Sequence, residues 1–292
     1  MSKLHTVIFF FLMVWIPHVL QGQSKRDLKY DHGAIVRGDS TTKQIAIIFS
    51  GDEYGEGLKL VRRALKKSKI KASFFFTGMF YRHPSFKKGI QNLIRDGHYL
   101  GGHSDQHLLY CDWTHRDSLL VTRQQFEADL TQNYLSMKKI GVDISKATFF
   151  LPPYEWYNDA IAAWTKQAGY QLINYTPGTL SHADYTGDQD KNFRSNLTIW
   201  NSITAYDMNS TSGLNGFILL MHIGAGSTRH EKFFKQVPGL IRYLQDKGYL
   251  FKTVSEMLNR SAPIIHYPSL PIFIHFDPSA LVHFTIQRFD HF

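Results

Sequence analysis

Short apolar runs alternate with stretches of helical periodicity through the middle of the chain. The run QIAIIF at residues 44–49 is apolar throughout, which is typical of a strand that is covered on both faces. Residues 57–67 then place Leu58, Val61 and Leu65 at helical spacing, with Lys and Arg on the other face. The same alternation predicts strands at residues 72–77, 98–102, 148–151, 171–174, 217–222 and 249–252, and helices at residues 86–96, 124–140, 158–168 and 233–247.

Apolar strands that are separated by helices predict a parallel sheet with helices on its faces. About seven such units favour a barrel over an open sheet. We therefore predict an α/β fold, a distorted (β/α) barrel of about seven strands that is similar to a TIM barrel. In such barrels the site lies at the carboxyl ends of the strands, so polar residues that follow a strand are the candidates for function.

The N-terminus has the pattern of a secretory signal peptide. Lys3 precedes an apolar run at residues 7–16, and Gly22 precedes a polar stretch. The run is shorter than the roughly 20 residues that span a bilayer, so we expect a secreted or periplasmic protein without a membrane span. The predicted division is a signal peptide at 1–22, a lead-in at 23–42, the main domain at 43–258 and a tail of unassigned role at 259–292.

Composition and charge exclude several classes. Hydrophobic residues make up 43% of the 292, which is the range of globular proteins. The single cysteine, Cys111, excludes a disulfide scaffold and a CxxC zinc site. Lys and Arg number 33 against 24 Asp and Glu, but the net charge of +9 is spread along the chain without a basic stripe. We therefore expect no nucleic-acid partner.

The most reactive segment is HSDQH, which follows the predicted strand at residues 98–102. His103 and His107 can both face one metal if the segment coils like a helical turn. Neutral imidazoles suit Zn, Co or Ni. The alternative is a pair of surface histidines, because the chain has 15 histidines and chance pairs are expected.

Three further strand ends carry chemical groups. Asp52 and Glu53 follow the first strand, where the alternative role is that of acids near a helix N-terminus. Pro152, Pro153 and Tyr154 form a stiff loop that either contacts a ligand or is a plain turn. His222 ends the strand at residues 217–222, where it suits general acid–base chemistry or is a core histidine.

Together, and in this order, these segments resemble the polysaccharide deacetylases with a NodB-homology domain, which are carbohydrate esterase family four. HSDQH fits the family's H-[ST]-x-x-H motif, and PPY at residues 152–154 fits most of its R-x-P-Y loop. ILLMHI at residues 218–223 fits the motif of the catalytic histidine, and Asp184-Tyr185 resembles the family's Asp-Trp pair. The resemblance covers about residues 43–258.

The resemblance implies a barrel of the deacetylase type with one divalent metal, most often Zn, with Co or Ni as alternatives. It implies that His103 and His107 bind the metal, that His222 is the general acid and that Asp184 orients His222. It also implies a substrate loop that contains Pro153 and Tyr154. Aromatic residues near these loops could stack on sugar rings: Tyr110, Trp113, Trp156 and Tyr175.

The chain departs from the family at two positions. The family's first motif is T-F-D-D, with a base and then a metal ligand, whereas here Phe49 is followed by Ser50-Gly51-Asp52-Glu53. Without a gap, Ser50 and Gly51 take those places; a shift of one residue makes Asp52 the ligand, and a shift of two makes Asp52 the base and Glu53 the ligand. Leu151 stands where the family has the Arg that pairs with the base.

Because the base and its Arg partner are both absent, we favour Asp52 as the third ligand. Glu53 is then the candidate base, with Asp105 or a metal-bound hydroxide as alternatives. The predicted function is a secreted, metal-dependent deacetylase of an N- or O-acetylated polysaccharide, such as peptidoglycan or a chitin-like or xylan-like polymer. The alternatives are a catalytically silent carbohydrate-binding protein and an amidohydrolase that acts on small C–N substrates.

Overall fold

The computed structural model describes residues 27–258, so the predicted signal peptide and the whole of the predicted tail lie outside the described residues. Nine strands form one sheet. They are β1 Lys29–Asp31, β2 Ala34–Arg37, β3 Gln44–Gly51, β4 Ser73–Phe76, β5 Tyr99–Gly102, β6 Phe149–Phe150, β7 Gln171–Leu172, β8 Phe217–His222 and β9 Leu250–Phe251.

Eight α-helices accompany the strands in the described part of the chain. They are α1 Leu58–Lys67, α2 Gly78–Arg82, α3 Pro84–Arg95, α4 Arg123–Ile140, α5 Asp159–Gln167, α6 Asn196–Asn209, α7 Val237–Asp246 and α8 Val254–Leu258. Three short 3₁₀ segments add turns at Pro153–Glu155, Ser181–Ala183 and Phe233–Gln236.

The sheet has the order β1-β2-β8-β3-β4-β5-β6-β7, and every pairing from β8 to β7 is parallel. β9 pairs in parallel with the start of β3. Residues 45–50 of β3 are almost fully buried, because neighbouring strands cover their edges and helices cover their faces. Such strands carry apolar side chains on both faces, which is the reason for the uninterrupted apolar run.

The sheet curls until its two ends meet. β2 pairs antiparallel with β8, and Ile35 of β2 also forms an isolated parallel bridge with Ile173, just after β7. The backbone N–H of Asn174 donates to the carbonyl of Ile35 over 3.0 Å. These contacts complete a distorted α/β barrel and confirm the predicted fold class.

The lead-in contributes to the same sheet. β1 and β2 both lie N-terminal to the predicted domain start at residue 43, and β2 packs against β8 and β7. The domain boundaries stay a prediction, but the barrel includes the strands of residues 29–37. Within residues 27–258, no helix is both long enough and apolar enough to cross a membrane.

Candidate active site

The HSDQH segment leaves β5 as an irregular loop and does not form the helical turn considered from the sequence. Ser104 and His107 have positive φ angles of 70° and 55°, which a right-handed helical turn does not contain. A carboxylate from α4 holds the loop: Asp129 accepts hydrogen bonds from Ser104 Oγ (2.6 Å) and from the backbone N–H groups of Asp105 (3.0 Å) and Gln106 (2.9 Å). Sequence reasoning missed Asp129, because it lies two dozen residues away along the chain.

The loop brings the two imidazoles together. The ring centroids of His103 and His107 are 5.0 Å apart. Burial, and then the nearby charge of His107, lower the pKa of His103 to about 3. Burial, and then the charge of His222, lower the pKa of His107 to about 3. Both rings are therefore neutral at pH 7, which is the form that binds metals.

The orientation of His103 is fixed from two sides. Its backbone N–H donates to Asn133 Oδ1 over 3.0 Å, and its ring Nδ1 lies 2.9 Å from the carbonyl oxygen of Leu151. A carbonyl only accepts hydrogen bonds, so Nδ1 carries the proton and Nε2 is left as a lone-pair donor for a ligand. The Leu151 side chain is fully buried, so the residue that replaces the family's Arg contributes through its backbone.

A histidine–aspartate pair lies at the end of β8. Asp184 is almost fully buried and accepts two hydrogen bonds from His222, one from the backbone N–H at 3.0 Å and one from ring Nδ1 at 2.7 Å. Burial opposes the protonated form of His222, but the charge and hydrogen bond of Asp184, helped by Glu155, raise its pKa above the ordinary value. A protonated imidazole at a strand end can donate a proton to a leaving group.

The end of β3 distinguishes the alternatives left by the sequence. Ser50 pairs in register with His222 across β3 and β8, and its buried hydroxyl has no hydrogen-bond partner among the described residues. Asp52 follows, and its charge acts on His103 and on Tyr154. Glu53 is exposed, and no contact among the described residues connects it with the two histidines after β5 or with the His222–Asp184 pair. The structure therefore favours Asp52 as the carboxylate of the site, and the role of Glu53 as the base stays a prediction without a contact that supports it.

Asp105, the other candidate base, is occupied elsewhere. Its carboxylate pairs with the guanidinium of Arg82 and accepts a hydrogen bond from Gln106 Nε2 at 2.8 Å. The side chain is buried in this arrangement. Because Arg82 and Gln106 already occupy this carboxylate, Asp105 is better described as part of the loop's support.

The donor chemistry of the site suits a divalent metal. Asp52 has a buried carboxylate oxygen, Oδ1, without a hydrogen-bond partner, and His103 and His107 add two neutral imidazoles. Two imidazoles and one carboxylate form a ligand set that several transition metals accept. Within residues 27–258, however, no three such side chains are gathered closely enough to count as a complete metal-holding group. The identity of a metal and its ligands thus stays a prediction.

Aromatic side chains line one side of the histidine pair. The Tyr154 ring lies 4.4 Å from the His107 ring and 5.6 Å from that of Trp113, and Trp113 stacks on Trp156 at 5.8 Å. Trp113 and Tyr154 are 54% and 45% exposed, so their faces are available to a ligand. We call Trp113, Tyr154 and Trp156 the aromatic platform. Pro153, which precedes Tyr154, is buried and stiffens this loop.

Two aromatic candidates lie away from the platform. Tyr110 is fully buried and packs on Phe126 of α4, so its predicted role in substrate binding is replaced by a role in the core. The Tyr110 hydroxyl donates to Asp129 Oδ2 over 3.4 Å, so the carboxylate that holds the HSDQH loop also holds Tyr110 in its buried position. Tyr175 is half-buried and stacks on His182 with ring centroids 4.3 Å apart.

Glu155 was missed by sequence reasoning. It follows Tyr154 in the loop after β6, is half-buried and interacts electrostatically with both His222 and Asp184. Burial raises the pKa of Glu155 to about 7, with Asp184 adding to the shift and His222 opposing it. Its position directly after the P-P-Y segment was the available signal, but nothing in the local sequence indicates that its carboxylate faces the His222 pair.

The barrel, with its polar site at the carboxyl ends of parallel strands, defines the class of an α/β-barrel protein of the carbohydrate-deacetylase type. The polysaccharide deacetylase family model matches residues 37–173. The peptidoglycan-N-acetylglucosamine deacetylase of Bacillus cereus is 25% identical over 217 residues, which are 74% of this chain and 88% of that protein.

Solved structures show the same fold. The Bc1960 peptidoglycan N-acetylglucosamine deacetylase superposes with a TM-score of 0.60 at 19% identity and covers 76% of this chain and 91% of its own. BA3943 of Bacillus anthracis is described as a pseudoenzyme of carbohydrate esterase family 4. It has a TM-score of 0.59 at 16% identity, and the match covers 79% of this chain and 70% of BA3943. These matches confirm the resemblance to the polysaccharide deacetylase family that the sequence motifs indicated.

Proposed function

We propose that this chain is a secreted or periplasmic, metal-dependent deacetylase that removes acetyl groups from a polysaccharide. The observation that carries the proposal is the presence of two pairs of side chains at the carboxyl ends of β5 and β8, one of two histidines and one of a histidine and an aspartate. His103 and His107 are neutral and paired after β5, while His222 is hydrogen-bonded to a buried carboxylate at the end of β8. One pair suits ligand binding and the other suits proton donation.

Each side chain then has a role. Asp52, His103 and His107 would hold the divalent ion, zinc in the first instance. When bound, such an ion polarises the acetyl carbonyl and lowers the pKa of water. Asp184 keeps the proton of His222 on Nδ1 and favours the imidazolium, so that His222 can give the proton on its other nitrogen to the departing amine or alkoxide.

The aromatic platform supports a carbohydrate as the substrate. Sugar rings have apolar faces that pack against exposed aromatic rings, and Trp113 and Tyr154 present such rings beside His107. The related protein of B. cereus is named a peptidoglycan deacetylase, and a relative in Pseudobutyrivibrio xylanivorans is named a bifunctional xylanase/deacetylase. We therefore propose peptidoglycan, a chitin-like polymer or acetylated xylan as the substrate.

The test is acetate release by the purified protein from chitooligosaccharides, peptidoglycan and acetylated xylan, with and without added Zn²⁺ or Co²⁺. Bound metal is measured on the same samples. The proposal predicts acetate release that depends on the metal and that is lost in His222→Ala. The matched control is His230→Ala, because His230 forms a similar pair with Asp188 (2.6 Å) but is exposed. Bound metal without acetate from any substrate would contradict deacetylation.

One observation favours a second candidate, a catalytically silent carbohydrate-binding protein on the same fold. Ser50 and Leu151 occupy the places of the family's base and its Arg partner, and both side chains are buried. In that case the aromatic platform would bind the sugar without turnover. Saturable binding of chitooligosaccharide that Trp113→Ala weakens by about tenfold, without acetate release, would support this candidate over the first.

A further inference from the structure

Glu155 occupies a backbone conformation that is uncommon for its residue type. Tyr154 and Glu155 have φ angles of 57° and 53°, in the left-handed region that a glycine adopts more readily. The loop is held in place: the Glu155 N–H donates to the Pro152 carbonyl at 3.2 Å, and the Glu155 carbonyl accepts from Asn174 Nδ2 at 2.9 Å. Such strained positions cluster at functional sites, where the surrounding structure fixes them.

The conformation brings the Glu155 side chain among the titratable groups of the site. The charged groups that act on it are His222 of β8 and Asp184 of the turn before α6. Its own charge acts on the hydroxyls of Tyr175 and Tyr185. No hydrogen bond among residues 27–258 engages its carboxylate, so the group remains available to a ligand or to water.

The other candidate bases among residues 27–258 are absent, exposed or already engaged. Ser50 stands at the family's base position, Glu53 is exposed and Asp105 is paired with Arg82. Asp184 is occupied by two hydrogen bonds from His222. Glu155 is therefore the carboxylate beside His222 that nothing in the described part of the chain already uses.

We propose that Glu155 is the general base of this deacetylase, in place of the carboxylate that Ser50 lacks. The inference rests on the proposed function. The Glu155 carboxylate takes one proton from water while the water oxygen bonds to the acetyl carbonyl carbon. The C–N or C–O bond then breaks as His222 gives its proton to the leaving nitrogen or oxygen, and acetic acid departs.

The cycle closes without another reactant. After product release, Glu155 is protonated and His222 is neutral, so transfer of that one proton from Glu155 to His222, directly or through water, restores both groups. Burial opposes the protonated form of His222, but Asp184 raises its pKa above the ordinary value, so the imidazole is able to accept this proton again. This proton transfer gives a reason for the position of the Glu155 carboxylate near His222.

The experiment compares wild type, Glu155→Gln and Glu155→Asp with chitotetraose as the probe, in the metal-loaded full-length protein. Removal of a general base lowers the rate by about 10²–10⁴-fold, so Glu155→Gln should lose kcat by that factor with KM little changed. Wild-type kcat/KM should fall tenfold per pH unit below about 7, as Glu155 becomes protonated, and Glu155→Gln should lack this limb. Glu127→Gln, an exposed glutamate on α4, is the matched control.

A second readout does not need activity. The negative charge of Glu155 raises the pKa of His222, so an NMR titration should show a lower His222 pKa in Glu155→Gln than in wild type. An unchanged His222 pKa in Glu155→Gln, or a kcat equal to that of wild type, would overturn the assignment of Glu155 as the base. Acetate release by wild type would still support the proposed deacetylase function in that case. Absence of acetate from wild type would refute the proposed function and the base role with it.

If Glu155→Gln fails to fold, Glu155→Asp takes its place. That variant should keep the fall of kcat/KM at low pH with a reduced kcat, and a kcat equal to that of wild type would contradict the proposal.

Discussion

Asp129→Asn removes the central acceptor of the histidine loop while keeping the size of the side chain. In the wild type, Asp129 Oδ2 accepts hydrogen bonds from Ser104 Oγ, the Asp105 N–H and the Tyr110 hydroxyl, and Oδ1 accepts from the Gln106 N–H. All four groups donate. The amide nitrogen of an asparagine must therefore face at least one donor in either orientation.

The magnitude follows from these contacts. A buried donor without an acceptor costs about 1–3 kcal/mol, and the remaining hydrogen bonds weaken by about 1 kcal/mol each when the acceptor loses its charge. Burial raises the pKa of Asp129, so loss of the buried charge offsets part of this cost. We expect a net loss of about 2–4 kcal/mol in the free energy of unfolding, which lowers the Tm by roughly 5–15 °C for a domain of this size.

The assay is thermal and urea unfolding of the purified variant, with Glu127→Gln on the same helix as the control. Glu127 forms an exposed i,i+4 pair with Arg123 at 2.7 Å, so the control should change stability by no more than about 0.5 kcal/mol. Zinc binding by Asp129→Asn should also weaken, because the loop carries His103 and His107. A Tm within about 2 °C of wild type, with unchanged zinc binding, would refute the assigned role of Asp129.

Three further changes test other parts of the site. His103→Ala should abolish stoichiometric zinc binding, and metal content measured by elemental analysis checks this. Asp184→Asn should lower the pKa of His222 and reduce kcat/KM by about 10²-fold or more, because the imidazolium loses its buried partner; acetate release and NMR titration check both. Trp113→Ala should raise KM for oligosaccharides about tenfold with kcat unchanged, since the ring contributes about 1.4 kcal/mol of contact, and steady-state kinetics check this.

The repeating apolar strands and amphipathic helices predicted most of the barrel. The strand predicted at residues 44–49 is β3, which continues to Gly51 because Ser50 still pairs with β4 and β8, and Gly51 with β4. A Cβ at residue 51 would lie 2.8 Å from the Ile223 side chain, which explains the glycine at this strand end. The barrel was predictable because burial on both faces leaves a strong apolar signal.

Elements with a weak apolar signal were not predicted. α6 buries only two of its side chains fully, Ile199 and Ile203, so its sequence lacks an apolar stripe. β1 and β2 together have seven residues, and their pairing depends on β8, which is far away along the chain. Such pairings are decided by tertiary contacts and not by local pattern.

Some residues of the candidate site were predictable from the sequence and others were not. Two histidine motifs stand out in the sequence by residue type and spacing, and Asp184 by its resemblance to an Asp-Trp pair. The structure places His103 and His107 together after β5, and His222 beside Asp184 at the end of β8. Their chemical roles stay predictions. Asp129 and Glu155 could not be predicted, because one acts through a loop distant in sequence and the other through burial and charge contributed by its neighbours.

The most direct measurement of the central claim is acetate release from peptidoglycan and chitotetraose by zinc-loaded wild type, His222→Ala and His230→Ala under identical conditions. The account predicts acetate from wild type and from His230→Ala, and a loss of at least about 10²-fold in His222→Ala. Equal acetate release from wild type and His222→Ala would contradict the assignment of the His222–Asp184 pair. No acetate from any of the three proteins would contradict deacetylation of these substrates.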